Sequence, residues 1–195
     1  MTAFGMSADQ SARFADVLAA ASSNSNTNVG MMGETFKYVA PIAGAMKFSI
    51  EDTAVAIGLM ANAGIKGSQA GTALRQTLSR LATPTKQSQI AIDELKLSVT
   101  NSDGSFKSFG TILEELRNKF GKLTDQQKAT YATMLGGQEA MSGLLAIINA
   151  SDADFYKLTE AINSSAGSAE RMANLRLDNL QGQITLLKSS IEGLG

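Results

Sequence analysis

Carboxylates are the main reactive groups in this 195-residue chain, because it contains no cysteine and no histidine. The first absence excludes disulfides and thiolate nucleophiles, and the second removes the commonest general base and metal ligand. Cleavage of a glycosidic bond would need a positioned acid in a cleft with a second carboxylate facing it. Glu114 and Glu115 are adjacent and leave a helix in different directions, Glu51 and Asp52 sit where a helix begins, and Glu139 and Glu160 lack a readable partner. Solvated helix faces and helix starts explain all six. Asn101-Ser102-Asp103-Gly104 invites comparison with a calcium loop, but Val99 occupies the first ligand position and Gly110 the place of the bidentate glutamate. A phosphate loop would need Lys-Ser or Lys-Thr directly after its last glycine and a strand before its first, and the run Gly64 to Gly71 offers neither. The sequence therefore assigns no catalytic residue, no cofactor and no metal, and it names no individual binding residue.

Composition narrows the partners. Seventeen basic and 18 acidic residues, a net charge of −1, are scattered along the chain, which argues against direct nucleic-acid binding by this segment. A hydrophobic content of 44% is ample for a core. The most apolar run, Ala54 to Ile65, is about a dozen residues long and contains Asn62, short of the roughly 20 that a transmembrane helix requires. Met1 to Gln10 has neither the basic region nor the apolar stretch of a signal peptide. No strongly basic amphipathic face marks a membrane-surface helix.

The elements that must position these residues read as one helix after another, an all-α fold with one small exception. Ala8 to Ala21 forms a first helix with Phe14, Val17 and Leu18 inward, followed by a polar loop from Ser22 to Asn28. A second helix runs from about Gly30 to Met46, with a kink or break expected near Val39 to Ala40 because Pro41 removes a backbone donor. Ser49-Ile50-Glu51-Asp52 is a capping signature, and the helix it opens is apolar nearly all round, so it should be central. Gly64 stands where that helix needs a left-handed residue to end. Ser68 is placed to cap the next helix, whose Ala70, Leu74, Leu78 and Leu81 share one face while Arg75, Gln76 and Arg80 point away. Gly67 and Gly71 have the small-xxx-small spacing of close helix packing. Thr83-Pro84 reads as a cap with proline at the first helical position, launching a helix to about Leu95. Residues 96–108 alternate at period two around Asn101-Ser102-Asp103-Gly104, which predicts a small β-hairpin. Helices then resume, with Phe109, Leu113, Leu116 and Phe120 on one face before Gly121. Thr124 opens the next helix, which stops at Gly136-Gly137; Met141 to Ile148 follows, and Ser151 caps a helix carrying Phe155, Leu158 and Ile162.

The end of the chain differs in kind. Ala173, Leu177, Leu180, Ile184, Leu187 and Ile191 repeat at alternating steps of four and three, a heptad seam weakened by Gly182. Such a seam suits a supercoiled contact with another long helix, and it equally suits an amphipathic helix packed on its own domain. The expected organisation is a compact helical core module over 1–165, followed over 166–195 by the start of a long, coiled-coil-prone helix.

Asn62-Ala63-Gly64-Ile65-Lys66-Gly67-Ser68-Gln69-Ala70-Gly71-Thr72-Ala73-Leu74-Arg75 resembles the core region of tail tape measure proteins from long-tailed bacteriophages and prophages. Its flanks share the likeness: Asp16-Val17-Leu18-Ala19-Ala20-Ala21, Tyr38-Val39-Ala40-Pro41 and Leu78-Ser79-Arg80-Leu81-Ala82. The resemblance persists through Leu135-Gly136-Gly137-Gln138-Glu139-Ala140 and Ser165-Ala166-Gly167-Ser168-Ala169, so it covers nearly the whole chain. It implies a structural protein and not an enzyme, threaded along the lumen of the tail tube, setting tube length and displaced when DNA is ejected. The implied partners are the tail tube protein, tail assembly chaperones and tail-tip or baseplate proteins, with self-association in the full-length protein. The implied locations are the virion tail and, during assembly, the host cytoplasm. Family members carry more helical sequence before the position of Thr2 and much more after Gly195, so the chain is expected to be a fragment. Two other classes stay in play: a helical protein-interaction or assembly-chaperone domain, supported by the seam, and a cell-wall hydrolase, since some tape measure proteins carry one.

A ruler works because a helix advances about 1.5 Å per residue. All 195 residues in one helix would reach roughly 290 Å, whereas a compact domain of this size has a radius of gyration of about 16 Å. The many glycine breaks favour compaction, and so a folded module beside the ruler.

Overall fold

Short capped segments, each with one apolar face, become ten α-helices among the described residues: α1 (Ser11–Asn24), α2 (Val29–Ala45), α3 (Ile50–Asn62), α4 (Gly67–Ala82), α5 (Lys86–Leu95), α6 (Phe109–Phe120), α7 (Asp125–Gly136), α8 (Met141–Ile148), α9 (Asp152–Asn163) and α10 (Ser168–Glu192). The computed structural model describes residues 4–192, with side-chain surroundings through residue 185.

Helix starts follow the polar residues before them. Asn28, Ser49, Thr85, Ser108, Thr124 and Ser151 each accept a hydrogen bond from an amide of the first turn, satisfying donors that the helix itself cannot. Helix α3 ends as expected: Gly64 is left-handed (φ +86°), the Gly64 amide donates to the Ala61 carbonyl, and the Ile65 amide donates to the Met60 carbonyl.

The core is built around α3. Every residue from Thr53 to Ala61 is buried, because α1, α2, α4, α6, α8 and α9 all pack against this helix. A helix enclosed on all sides needs no polar stripe, which is why its sequence shows none. The most extensive helix pair is α2 with α4. It depends on Gly71, where an added Cβ would stand 2.7 Å from the Tyr38 Cβ and 3.0 Å from the Thr35 carbonyl oxygen. Phe48 and Phe109 stack at 4.9 Å, joining the entry of α3 to α6.

Several sequence expectations are corrected. Residues 96–108 do not form a β-hairpin; a single antiparallel bridge links Thr100 and Phe106. Side chains take groups that a ladder would use: the Ser98 amide donates to Glu115 Oε1 (2.9 Å) and the Ser105 amide to Asp103 Oδ1 (2.9 Å). The alternation reflects the burial of Leu97 and partial burial of Val99 and Phe106 against the helices, so the period of two reports a packed loop. Helix α1 runs on to Asn24, and Ser22 and Asn24 return side-chain hydrogen bonds to the Ala19 and Ala20 carbonyls inside it. Of the kink or break expected near Val39 to Ala40, the break does not occur, since α2 is continuous through Pro41. Thr85, not Thr83, caps α5, and Lys66, not Ser68, occupies the cap position of α4 without a side-chain hydrogen bond. Arg80 does not point away: its guanidinium reaches back to the Thr133 and Met134 carbonyls near the end of α7.

Candidate assembly surface

Most of the carboxylates singled out in the sequence serve separate local contacts. Glu51 forms a two-pronged pair with Arg13 of α1 at 2.8 Å for each prong, tying α1 to the start of α3. Asp52 lies against Gly110 of α6, where an added Cβ would meet its Oδ1 at 3.0 Å. Glu115 accepts from the Ser98 amide and faces Lys107 at 3.7 Å, pinning the 96–108 loop to α6. Glu114, Glu139 and Glu160 are exposed. Asp52 and Glu114 line one small cavity between α3, α6 and α9, and the other four acids do not reach it.

Asp103 of the turn accepts from the hydroxyl and the amide of Ser105 (2.6 and 2.9 Å), and these bonds hold its carboxyl below the usual range. The Tyr131 hydroxyl of α7 donates to Glu94 of α5 (2.9 Å), which raises the phenol above its ordinary value because the bond and the nearby charge favour the neutral form. Both are surface contacts that order a loop or a helix pair. Among the described residues no group of three or more acidic side chains is placed to hold a metal ion, and no helix is long and apolar enough to cross a membrane.

One cation, which the sequence reading passed over, is built into the body. Arg117 of α6 has a side chain only 9% exposed. Its guanidinium donates to the carbonyls of Ile147 (2.8 Å) and Ile148 (3.3 Å) at the end of α8, and to Asp152 (2.7 Å) at the start of α9, and lies 4.8 Å from the centre of the Phe155 ring. The planar fork thus joins three helices while neutralising the negative end of α8. A basic residue on an amphipathic helix gives no sign in sequence that it will turn inward.

The feature that stands apart is α10. Its first turns lie on α1, with Met172 half-buried, and every residue from Ala173 to Thr185 is exposed. Leu177, Leu180 and Ile184 of the expected seam are 62%, 55% and 57% exposed, so they do not pack on the body. Leu187 and Ile191 lie outside the described side chains. The structure therefore presents a helical body closed around its own aliphatic faces and one helix whose apolar edge is uncovered among the described residues.

That arrangement is a mainly helical module with one projecting helix. The chain belongs to the phage-related minor tail protein family, whose profile matches residues 1–137. It is 39% identical over 194 residues to the tape measure protein of Pneumococcus phage Dp-1, covering 100% of this chain and 17% of that protein. It is 34% identical over 197 residues to the probable tape measure protein of Escherichia phage P2, covering all of this chain and 24% of the relative. The probable tape measure protein of Clostridium phage phiCD119 is 25% identical over 201 residues, with 21% of its length covered. The chain thus spans between a sixth and a quarter of the relatives it matches. No solved structure matches it.

Proposed function

We propose that this chain is the folded module of a phage tail tape measure protein, serving assembly or anchoring while tail length is set by helical sequence elsewhere in the same protein. The observation that carries this reading is the enclosure of α3 by six other helices. A stretch folded in that way does not convert residue count into distance, whereas an extended helix does, at about 1.5 Å per residue. In this reading residues 1–165 form the body and 166–195 begin the rod, with the exposed seam of α10 mediating self-association in the full-length protein. The partners are the tail tube protein, assembly chaperones and tail-tip or baseplate proteins; the protein acts in the host cytoplasm during assembly and then resides in the virion tail. The module is a structural part and not an enzyme, a role supported by its match to the phage-related minor tail protein family.

Deletion of this segment from a phage tests the reading through tail morphology. The expected result is loss of tails or tubes of irregular length. Uniform tails shortened by roughly 290 Å, the span of 195 helical residues, would contradict it, and normal tails would favour a dispensable interaction domain. A zymogram on purified peptidoglycan is expected to show no clearing, and a cleared band would establish the hydrolase reading.

A further inference from the structure

Helix α10 begins in an unusual way. The Gly167 and Ala169 amides at its start donate to Oδ2 and Oδ1 of Asp16, both at 2.9 Å, although Asp16 lies on α1, 151 and 153 positions earlier in the chain. The caps described for α2, α3, α5, α6, α7 and α9 come from a side chain only three positions before the amide they hold, so those starts survive whichever way the helix points. A cap supplied by another helix behaves differently. It exists only while the two helices keep their relative placement, and both bonds break together if α10 swings away. The carboxylate also sits at the positive end of the helix, where its charge is favoured.

The surroundings fit a single joint. Arg171 on the first turn of α10 donates to the Ala166 carbonyl (3.0 Å) and to Ser168 Oγ (2.7 Å), bracing the turn from the α10 side. Val17 and Leu18, next to Asp16, are buried, so the carboxylate is mounted on a fixed part of the body. Beyond Met172 the hold of α10 on the body is slight: Leu175 borders a shallow cavity shared with α1 and α9, and Ala173 to Thr185 are all exposed.

We propose that Asp16 is a positioning residue: it latches the first turn of α10 onto α1, so that the folding of that turn and the direction in which the helix leaves the body are one coupled event. The latch fixes the angle between the body and the projecting helix, and its release frees both at once. This holds whether or not the seam of α10 self-associates.

The test uses the whole 195-residue chain, which is free of cysteine and therefore accepts a pair of spin labels at Ser68→Cys on α4 and Gln181→Cys on α10. With Asp16 intact, pulsed dipolar spectroscopy is expected to give one narrow distance distribution. In Asp16→Ala the distribution should broaden at least twofold, and amide exchange at Gly167 and Ala169 should quicken by roughly fivefold or more, the scale of losing a helix cap, with α3 amides unchanged. A distribution as narrow as that of the parent, or unchanged exchange at both amides, would overturn the proposal. Should Asp16→Ala fail to fold, the isosteric Asp16→Asn keeps the shape and one carbonyl acceptor. It is expected to speed exchange at one of the two amides, and unaltered protection at both would again refute the latch.

Discussion

Helices α4 and α10 carry nearly the same apolar spacing and meet opposite fates. Ala70, Leu74, Leu78 and Leu81 recur at three and four positions and are all buried, whereas Leu177, Leu180 and Ile184 follow the same rhythm and remain more than half exposed. Periodicity reports which face of a helix is apolar and says nothing of what covers it. The cover is decided by chain geometry. Helix α4 lies between α2, α3, α7 and α8, which close over it, while α10 touches α1 at its start and then leaves the body. The buried set holds the fold, and the exposed set is left uncovered among the described residues.

That contrast breaks or holds under substitution. Leu78→Ala should cost about 2–5 kcal/mol in urea unfolding, because it empties a site with no solvent access. Leu180→Ala in the isolated chain should cost less than about 0.5 kcal/mol, as expected for a surface position. Equal losses at the two sites would mean that α10 folds back on the body. Next in size, Arg117→Met should cost about 1–3 kcal/mol, since it strips the Ile147 and Ile148 carbonyls of their donor; a loss below 0.3 kcal/mol by the same method would show that water replaces the guanidinium freely. Ser49→Ala should cost about 1 kcal/mol through the lost cap on α3, measured by thermal unfolding, and no change would deny that cap a role.

The smallest expected effect depends on pH. Tyr131 has its pKa raised by the bond to Glu94, so the stability it contributes is present below the unfolded value near 10 and is lost as pH rises through the higher folded value. Unfolding of the parent should therefore grow easier above about pH 10 relative to Tyr131→Phe, which removes the titrating group. Parallel curves for the two proteins across that range would remove Tyr131 from the account.

Much of the body was legible because its signals are local. Ser49, Thr124 and Ser151 cap helices where a short acceptor precedes an apolar run, and Gly64 ends α3 because few other residues adopt its backbone conformation. The failures have a common cause. Alternation over 96–108 suggests strands, yet it arises from a loop laid on helices, with Asp103 and Glu115 supplying acceptors that no periodicity predicts. Thr83 and Pro84 had the right types two residues too early, since α4 ends at Ala82 and the chain must turn before α5 can begin. The roles of Asp16 and Arg117 were not legible because their partners lie 30 or more positions away. Long-range polar contacts leave no spacing to read.

Small-angle scattering on the dilute 195-residue chain bears most directly on the claim that this segment is a folded body with one projecting helix. The account predicts a radius of gyration near 16–20 Å, that of a compact domain of this length with a modest extension. A rod-like profile extending toward roughly 290 Å, with a radius of gyration of about 80 Å, would contradict it and return these residues to the ruler.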